Sequence, residues 1–305
     1  MLTLPAGVAQ VTASTGRGDF AALVAGPEHD AAGHALLLPG WTGSKEDFAA
    51  VLPILGQRGW RVCSVDQRGQ YESAGYPDPA GYDWFELGAD VAAVAAWLTG
   101  AGPVRAGAPP PVHLVGHSFG GLVAAEAVVA QPGHWASLTL LCSGPAGTDD
   151  PADVAALTAM VSALAEIRSA EDMAAVYDAK VAVQAQAGMP PPASADDEFL
   201  RRRFVRNDPA GLAAFSRLLM SAPDRIDDIA RTDVPGFVVY GEDDDAWPLA
   251  LQDATAHRLG STPVVIAEAG HSPAVDQPAS TADVLVGLWR QARPGGDGAD
   301  DDPAA

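Results

Sequence analysis

Residues 112–121 read VHLVGHSFGG, and this segment constrains the fold of the chain more than any other. A short apolar run runs directly into Gly116-His117-Ser118-Phe119-Gly120, which matches G-x-S-x-G, and an Ala/Val-rich helical pattern follows over 122–130. A serine at this spacing sits on a sharp strand-to-helix turn with strained dihedrals, and the flanking glycines let neighbouring backbone come close. The turn lifts the hydroxyl above the carboxyl edge of a sheet, where open α/β folds bind ligands. The positive end of the following helix points to the same place. In a chain with 32 glycines the bare pattern can arise by chance; its strand and helix flanks give it weight. His117 is expected to be packed rather than catalytic, with its side chain turned away from Ser118.

Strand and helix patterns alternate around this segment. Residues 8–14, 20–26, 34–38 and 61–65 read as strands, with a helical pattern at 45–55 built on Phe48, Val51, Leu52 and Leu55. A Gly/Pro/Asp-rich loop spans 66–82, and Phe85, Leu87, Val91, Val94, Trp97 and Leu98 mark the apolar face of a further helix. Residues 99–111 read as a surface loop, and 137–142 as the strand after the elbow. Such alternation predicts a mostly parallel sheet with helices on both faces. From 148 to 232 the rhythm breaks: helical patterns at 154–167, 173–183, 199–204 and 212–220 occur without a strand. Strand and helix resume at 236–240, 249–259, 264–266 and 281–291. The expected organisation is a core of 1–147 and 233–292, a helical cap at 148–232, and a disordered acidic tail at 293–305.

Composition narrows the class of function. With 39 acidic against 18 basic residues, the net charge of -21 argues against nucleic acid and anionic membrane surfaces as partners. Cys63 and Cys142 lie inside apolar runs and read as buried strand residues, too few for a disulfide framework or a metal cluster. No basic, apolar leader pattern opens the chain and no run reaches the roughly 18–20 apolar residues of a spanning helix, so a cytoplasmic location is the expectation.

A serine hydroxyl needs a base. Of the seven histidines, His271 stands out, in Glu268-Ala269-Gly270-His271-Ser272-Pro273 just after the strand at 264–266, on the sheet edge expected for Ser118. The imidazole in turn needs a carboxylate to hold its tautomer. The loop Gly241-Glu242-Asp243-Asp244-Asp245-Ala246-Trp247-Pro248 supplies several, and spacing alone does not choose among Asp243, Asp244 and Asp245. For a developing oxyanion, the expected backbone N–H donors are Phe119, next to the nucleophile, and Trp41, in the loop Pro39-Gly40-Trp41-Thr42-Gly43-Ser44. Gly40, Trp41 and Phe119 are also the expected substrate contacts.

Together these segments resemble the α/β-hydrolase superfamily, in its capped members related to esterases, haloperoxidases and proline iminopeptidases. The resemblance covers residues 8–147 and 233–292. LLLPGWTGSKEDF resembles the oxyanion loop and first helix, with Pro39 where a His often precedes the glycine. SVDQRGQYESAG resembles D-x-R-G-x-G-x-S, with Tyr71 in place of the second glycine. VPGFVVYGEDDDAWPLA resembles the acid segment; the register set by Gly241 and Pro248 implies Asp244. AGHSPAVDQP resembles the histidine loop and implies that His271 is the base. The resemblance implies an eight-stranded sheet with a helical lid after the sixth strand, and the order Ser, Asp, His fits this lineage. Ser118 sets the chain apart from the relatives that use an aspartate nucleophile.

The expected function is hydrolysis of a carboxylic ester or related acyl substrate, small and partly apolar, through Ser118, His271 and Asp244, with no metal and no organic cofactor. The alternatives are C–C bond, amide or thioester cleavage, a cofactor-free biosynthetic step, a ligand-binding receptor with negligible turnover, and an inactive scaffold. In the cap, Met160, Met173, Met189, Phe199, Phe204, Phe215 and Met220 either line a pocket or form the lid's own core. Arg201, Arg202, Arg203 and Arg206 read as a solvated helix face, with contact to an anionic substrate as the rival reading.

Overall fold

The computed structural model describes residues 3–100, 111–186 and 194–292. Its first two strands, β1 (Val8–Thr15) and β2 (Gly18–Ala25), form an antiparallel hairpin, and β2 pairs antiparallel with β4 (Arg61–Val65). From there the sheet is parallel: β4 pairs with β3 (His34–Leu38), followed by β5 (Val112–His117), β6 (Trp135–Leu141), β7 (Gly236–Gly241) and β8 (Val264–Ile266). All six residues of β5 are buried, as a central parallel strand covered on both faces requires.

Helices make the two outer layers. α1 (Leu52–Gln57) and α11 (Pro278–Gln291) bury Leu52, Leu55, Leu285 and Trp289 against one face of the sheet. α2 (Trp84–Leu98) and α3 (Phe119–Ala130) bury Leu87, Val91, Val94, Leu122 and Val123 against the other. α9 (Leu249–Arg258) follows β7, and the short α10 (Pro273–Asp276) follows the histidine loop. Between β6 and β7 lie α4 (Pro151–Ala165), α5 (Ala170–Gln186), α6 (Ser194–Val205), α7 (Pro209–Ser221) and α8 (Ile226–Ala230). Among the described residues of that stretch there is no strand.

Two helix expectations change. The pattern at 45–55 is broken into a 3-10 turn at Lys45–Phe48 and then α1, because Pro53 offers no N–H and is placed where a helix begins. Phe85 is 71% exposed, so it does not belong to the buried face of α2. The expected tail at 293–305 and most of the loop at 99–111 lie outside the described residues.

The helices at 151–230 are tied to the core at a few polar points. Asp208 caps α7 by accepting from the Ala210 and Gly211 N–H groups, worth about 1 kcal/mol in such caps. The same carboxylate accepts the Tyr82 hydroxyl at 2.5 Å, and its backbone N–H donates to Gly69 O at 2.8 Å. Tyr71 takes φ +39°, a left-handed backbone that a glycine adopts more readily. Its ring lies under Lys45 Nζ and the Arg206 guanidinium and meets Phe199 edge-on, which holds the residue there.

Candidate active site

The elbow is built by close backbone approach. Ser118 has φ 52° and ψ -122°, outside the regions that L-residues ordinarily occupy, a conformation that costs about 1–3 kcal/mol. Its N–H donates to Leu141 O at 3.0 Å and its carbonyl accepts from Ser143 Oγ at 2.8 Å, so the end of β6 and the residues just after it hold the turn in place. A Cβ on Gly116 would lie 2.3 Å from Gly120 O, and one on Gly120 would lie 2.6 Å from both Leu38 O and Pro39 O. The G-x-S-x-G spacing therefore reflects two places where backbone takes the volume of a side chain.

The loop after β3 closes over the same point. A Cβ on Gly40 would come within 3.3 Å of Ser118 Cβ. Two glutamines pin the loop by its carbonyls: Gln67 Nε2 donates to Pro39 O at 2.9 Å, and Gln70 Nε2 to Gly40 O at 2.8 Å. With those carbonyls turned away, the Trp41 backbone N–H donates to no described residue, and neither does that of Phe119 at the start of α3. Sequence reasoning missed Gln67 and Gln70; both lie in the segment read as a family loop, and only the fold brings them under Pro39 and Gly40.

Asp244 and His271 meet. His271 Nδ1 lies 2.8 Å from Asp244 Oδ1, which also accepts the Ala246 N–H at 3.0 Å, while Oδ2 accepts Gln252 Nε2 at 2.9 Å. Asp243 and Asp245 are exposed, whereas Asp244 is buried, and of the three it is Asp244 that the fold brings onto His271. Burial alone would raise its pKa, but the His271 contact and the two further hydrogen bonds hold the carboxyl below the usual carboxylate range. In a neutral imidazole, a carboxylate at Nδ1 favours the tautomer with its proton on that nitrogen, which makes Nε2 the acceptor.

His117 is packed, as the elbow geometry predicts, and has a specific contact. Its Nε2 lies 2.7 Å from the His271 carbonyl and its ring centroid 4.8 Å from that of His271. Burial, with His271 close by, pulls its pKa down to about 4, so it is neutral and donates Nε2–H to that carbonyl. Cys142 lies just past the end of β6 rather than within it, at φ +48°. Cys142 Sγ, an Asp244 oxygen and a His271 nitrogen lie within 4.8 Å of one another, the group among the described residues that could hold a metal ion. Burial, reinforced by Asp244, pushes the thiol well above its ordinary range, and His271 and Asp244 are already engaged with each other.

Ser118 and His271 line one cavity of about 550 Å³, together with Gly40, Trp41 and Trp247. Among the described residues no hydrogen bond joins Ser118 Oγ to the imidazole; such contacts are often long without substrate and tighten when it binds. Of the apolar residues singled out at 148–232, those among the described residues do not line this cavity. Met173 and Phe204 are buried in the core of the inserted helices, and Phe215 stacks on Phe119 with ring centroids 4.6 Å apart. Met160 packs against the former core and Met220 against the core of the sheet, Phe199 meets Tyr71, and Met189 lies outside the described residues. Leu157 and Leu219 take the lining positions instead. The reading of the arginines as a solvated face holds for Arg201, whose partner Asp178 is exposed, but fails for Arg203, which is mostly buried against Asp47 at the cavity. Among the described residues, no helix is long and apolar enough to cross a membrane.

Residues 35–284 match the alpha/beta hydrolase family. A protein of Variovorax paradoxus named as a carbamate hydrolase, RutD, is 37% identical over 110 residues, 36% of this chain and 38% of that one. A pimeloyl-[acyl-carrier protein] methyl ester esterase of Methylococcus capsulatus is 34% identical over 116 residues, 38% of this chain and 39% of that one. The chain thus matches less than two fifths of the length of either curated relative. The solved structure of a thermophilic esterase from Thermogutta terrifontis superposes with a TM-score of 0.72 at 21% identity, covering 94% of this chain and all of that one.

Proposed function

The chain belongs to the alpha/beta hydrolase family, and on that premise we propose that it hydrolyses a carboxylic ester of a small, partly apolar molecule by acyl transfer through Ser118. The observation that carries this reading is the pairing of buried Asp244 with His271 on the cavity that the elbow serine also lines.

In the first half-reaction Ser118 Oγ attacks the ester carbonyl carbon and its proton passes to His271 Nε2. Asp244 holds the imidazole by Nδ1 and stabilises the imidazolium that forms. The Phe119 and Trp41 N–H groups, which have no acceptor among the described residues, donate to the oxyanion. Collapse of the tetrahedral intermediate breaks the ester C–O bond, and the alcohol leaves with the proton from His271. Water then attacks the acyl-enzyme, gives its proton to His271, and the acid departs as Ser118 Oγ recovers that proton. No step calls for a metal or an organic cofactor. The helices at 148–232 act as a cap that forms one wall of the cavity through Leu157 and Leu219.

The proposal is tested by labelling with a serine-reactive fluorophosphonate followed by peptide mapping. Label on Ser118, lost in Ser118→Ala and strongly reduced in His271→Ala, is the expected result. A folded protein that takes no label on Ser118 would overturn it. A panel of ester, thioester, amide and diketone substrates then separates ester hydrolysis from the other reactions this fold supports.

A further inference from the structure

The chain contains two lysines, in opposite situations. Lys45 is fully buried, and its Nζ lies 2.8 Å from Glu46, 2.9 Å from Asp66 and 2.7 Å from Glu72. Lys180, on α5, is half-buried, and its Nζ donates to Gln184 Oε1 at 3.1 Å. Among the described residues no carboxylate lies within ion-pair distance of it, in a protein that carries 39 acidic side chains. Lys180 and Gln184 line the cavity that holds Ser118 and His271.

The surroundings of this ammonium oppose its charge. Partial burial, with the Arg203 cation nearby, holds Lys180 below the usual lysine range. Arg203 has its own counter-ion in Asp47, so of the two cations at the cavity it is Lys180 that has no carboxylate within ion-pair distance among the described residues. A desolvated cation without a partner is costly, and an anion arriving from solution removes that cost. Two other carboxylates reach the cavity, Asp153 and Asp245, but both are exposed and screened by water, and Asp153 already accepts from Thr148 Oγ1 at 3.0 Å. Ala156, Leu157, Leu219 and Trp247 supply the apolar part of the lining.

We infer that Lys180 is the anion-binding residue of this site: the substrate carries a carboxylate at the end remote from its scissile ester, reached across an apolar spacer. The inference rests on the acyl-transfer reading above for the ester and on Lys180 for the anion.

The test uses matched pairs of esters in a pH-stat assay. Monoethyl adipate against ethyl hexanoate places the charge on the acyl side. The acetyl ester of a hydroxy acid against that of an equally long alcohol places it on the alcohol side. The wild-type protein is expected to favour the anionic member of one pair by about tenfold or more in kcat/KM, the scale of one hydrogen bond between charged groups. Lys180→Gln brings that ratio toward one and Lys180→Arg restores most of it. A flat ratio in both pairs, a preference for a matched ammonium ester, or a preference that survives Lys180→Gln overturns the inference.

A second measurement does not depend on turnover. Acetylation by a water-soluble succinimidyl ester, mapped at Lys180, is expected to slow with adipate and not with hexanoate. Flat ratios with Ser118 labelled by fluorophosphonate remove the anion site and leave the acyl-transfer reading standing. If neither ester turns over and Ser118 takes no label, the acyl-transfer reading falls, and adipate protection of Lys180 decides the anion site alone.

Discussion

Replacing His117 by glutamine separates a buried histidine's contribution to stability from its contribution to the site. His117 Nε2 donates to the His271 carbonyl at 2.7 Å, and burial takes the pKa from 6.5 to about 4. The folded-state value lies below the unfolded one. Between those two pH values the unfolded chain therefore binds more protons than the folded chain, and stability is full above about pH 6.5 and falls as the pH drops toward 4. At about 1.4 kcal/mol per pKa unit, His117 alone accounts for roughly 3 kcal/mol of that loss. Glutamine can keep an N–H for the carbonyl and does not titrate. The expected result is a variant destabilised by about 1 kcal/mol at neutral pH that loses roughly 3 kcal/mol less than wild type on acidification. Urea unfolding followed by tryptophan fluorescence, at pH values from about 7 down to about 4, gives both curves. Parallel losses in the two proteins, or a His117 resonance titrating near its ordinary value, would refute the reasoning.

Three more outcomes follow from the same geometry. Asp244→Asn should lower kcat about 10⁴-fold by reversing the tautomer at His271, while Asp243→Asn, an exposed neighbour, should stay within about twofold; steady-state kinetics on one ester decides both. Lys45→Met strands three carboxylates around a fully buried position and should cost about 3–5 kcal/mol in urea unfolding, far more than the loss of an exposed ion pair. Gly120→Ala puts a methyl group 2.6 Å from two backbone oxygens at the end of β3, so a loss of at least about 1–3 kcal/mol is expected, with weakened fluorophosphonate labelling because the elbow must shift.

Much of the fold was legible because strand and helix leave different periods in the sequence. The bounds read for β3, β4 and β8 coincide with those observed, since each is a short apolar run ended by turn residues or a polar loop. α8 and α10 went unread because five and four residues are too few to show a helical period. The elbow was legible from spacing because its glycines answer to local backbone contacts. The pinning of the loop after β3 by Gln67 and Gln70 was not, because those contacts join residues about 30 positions apart in the chain.

By itself the sequence determined what depends on neighbours in the chain: the alternating elements, the sharp strained turn at Ser118, and the chain order of Ser118, Asp244 and His271. Spacing alone could nominate Asp243, Asp244 and Asp245 but not choose, and the family register implied Asp244; which of them is buried is a property of the whole packed chain. Only the tertiary structure turned Asp244 inward onto His271, set Arg203 against Asp47, and placed Lys180 at the cavity with no counter-ion among the described residues. The physical reason is that desolvation and charge pairing depend on which distant side chains the fold brings within a few ångströms.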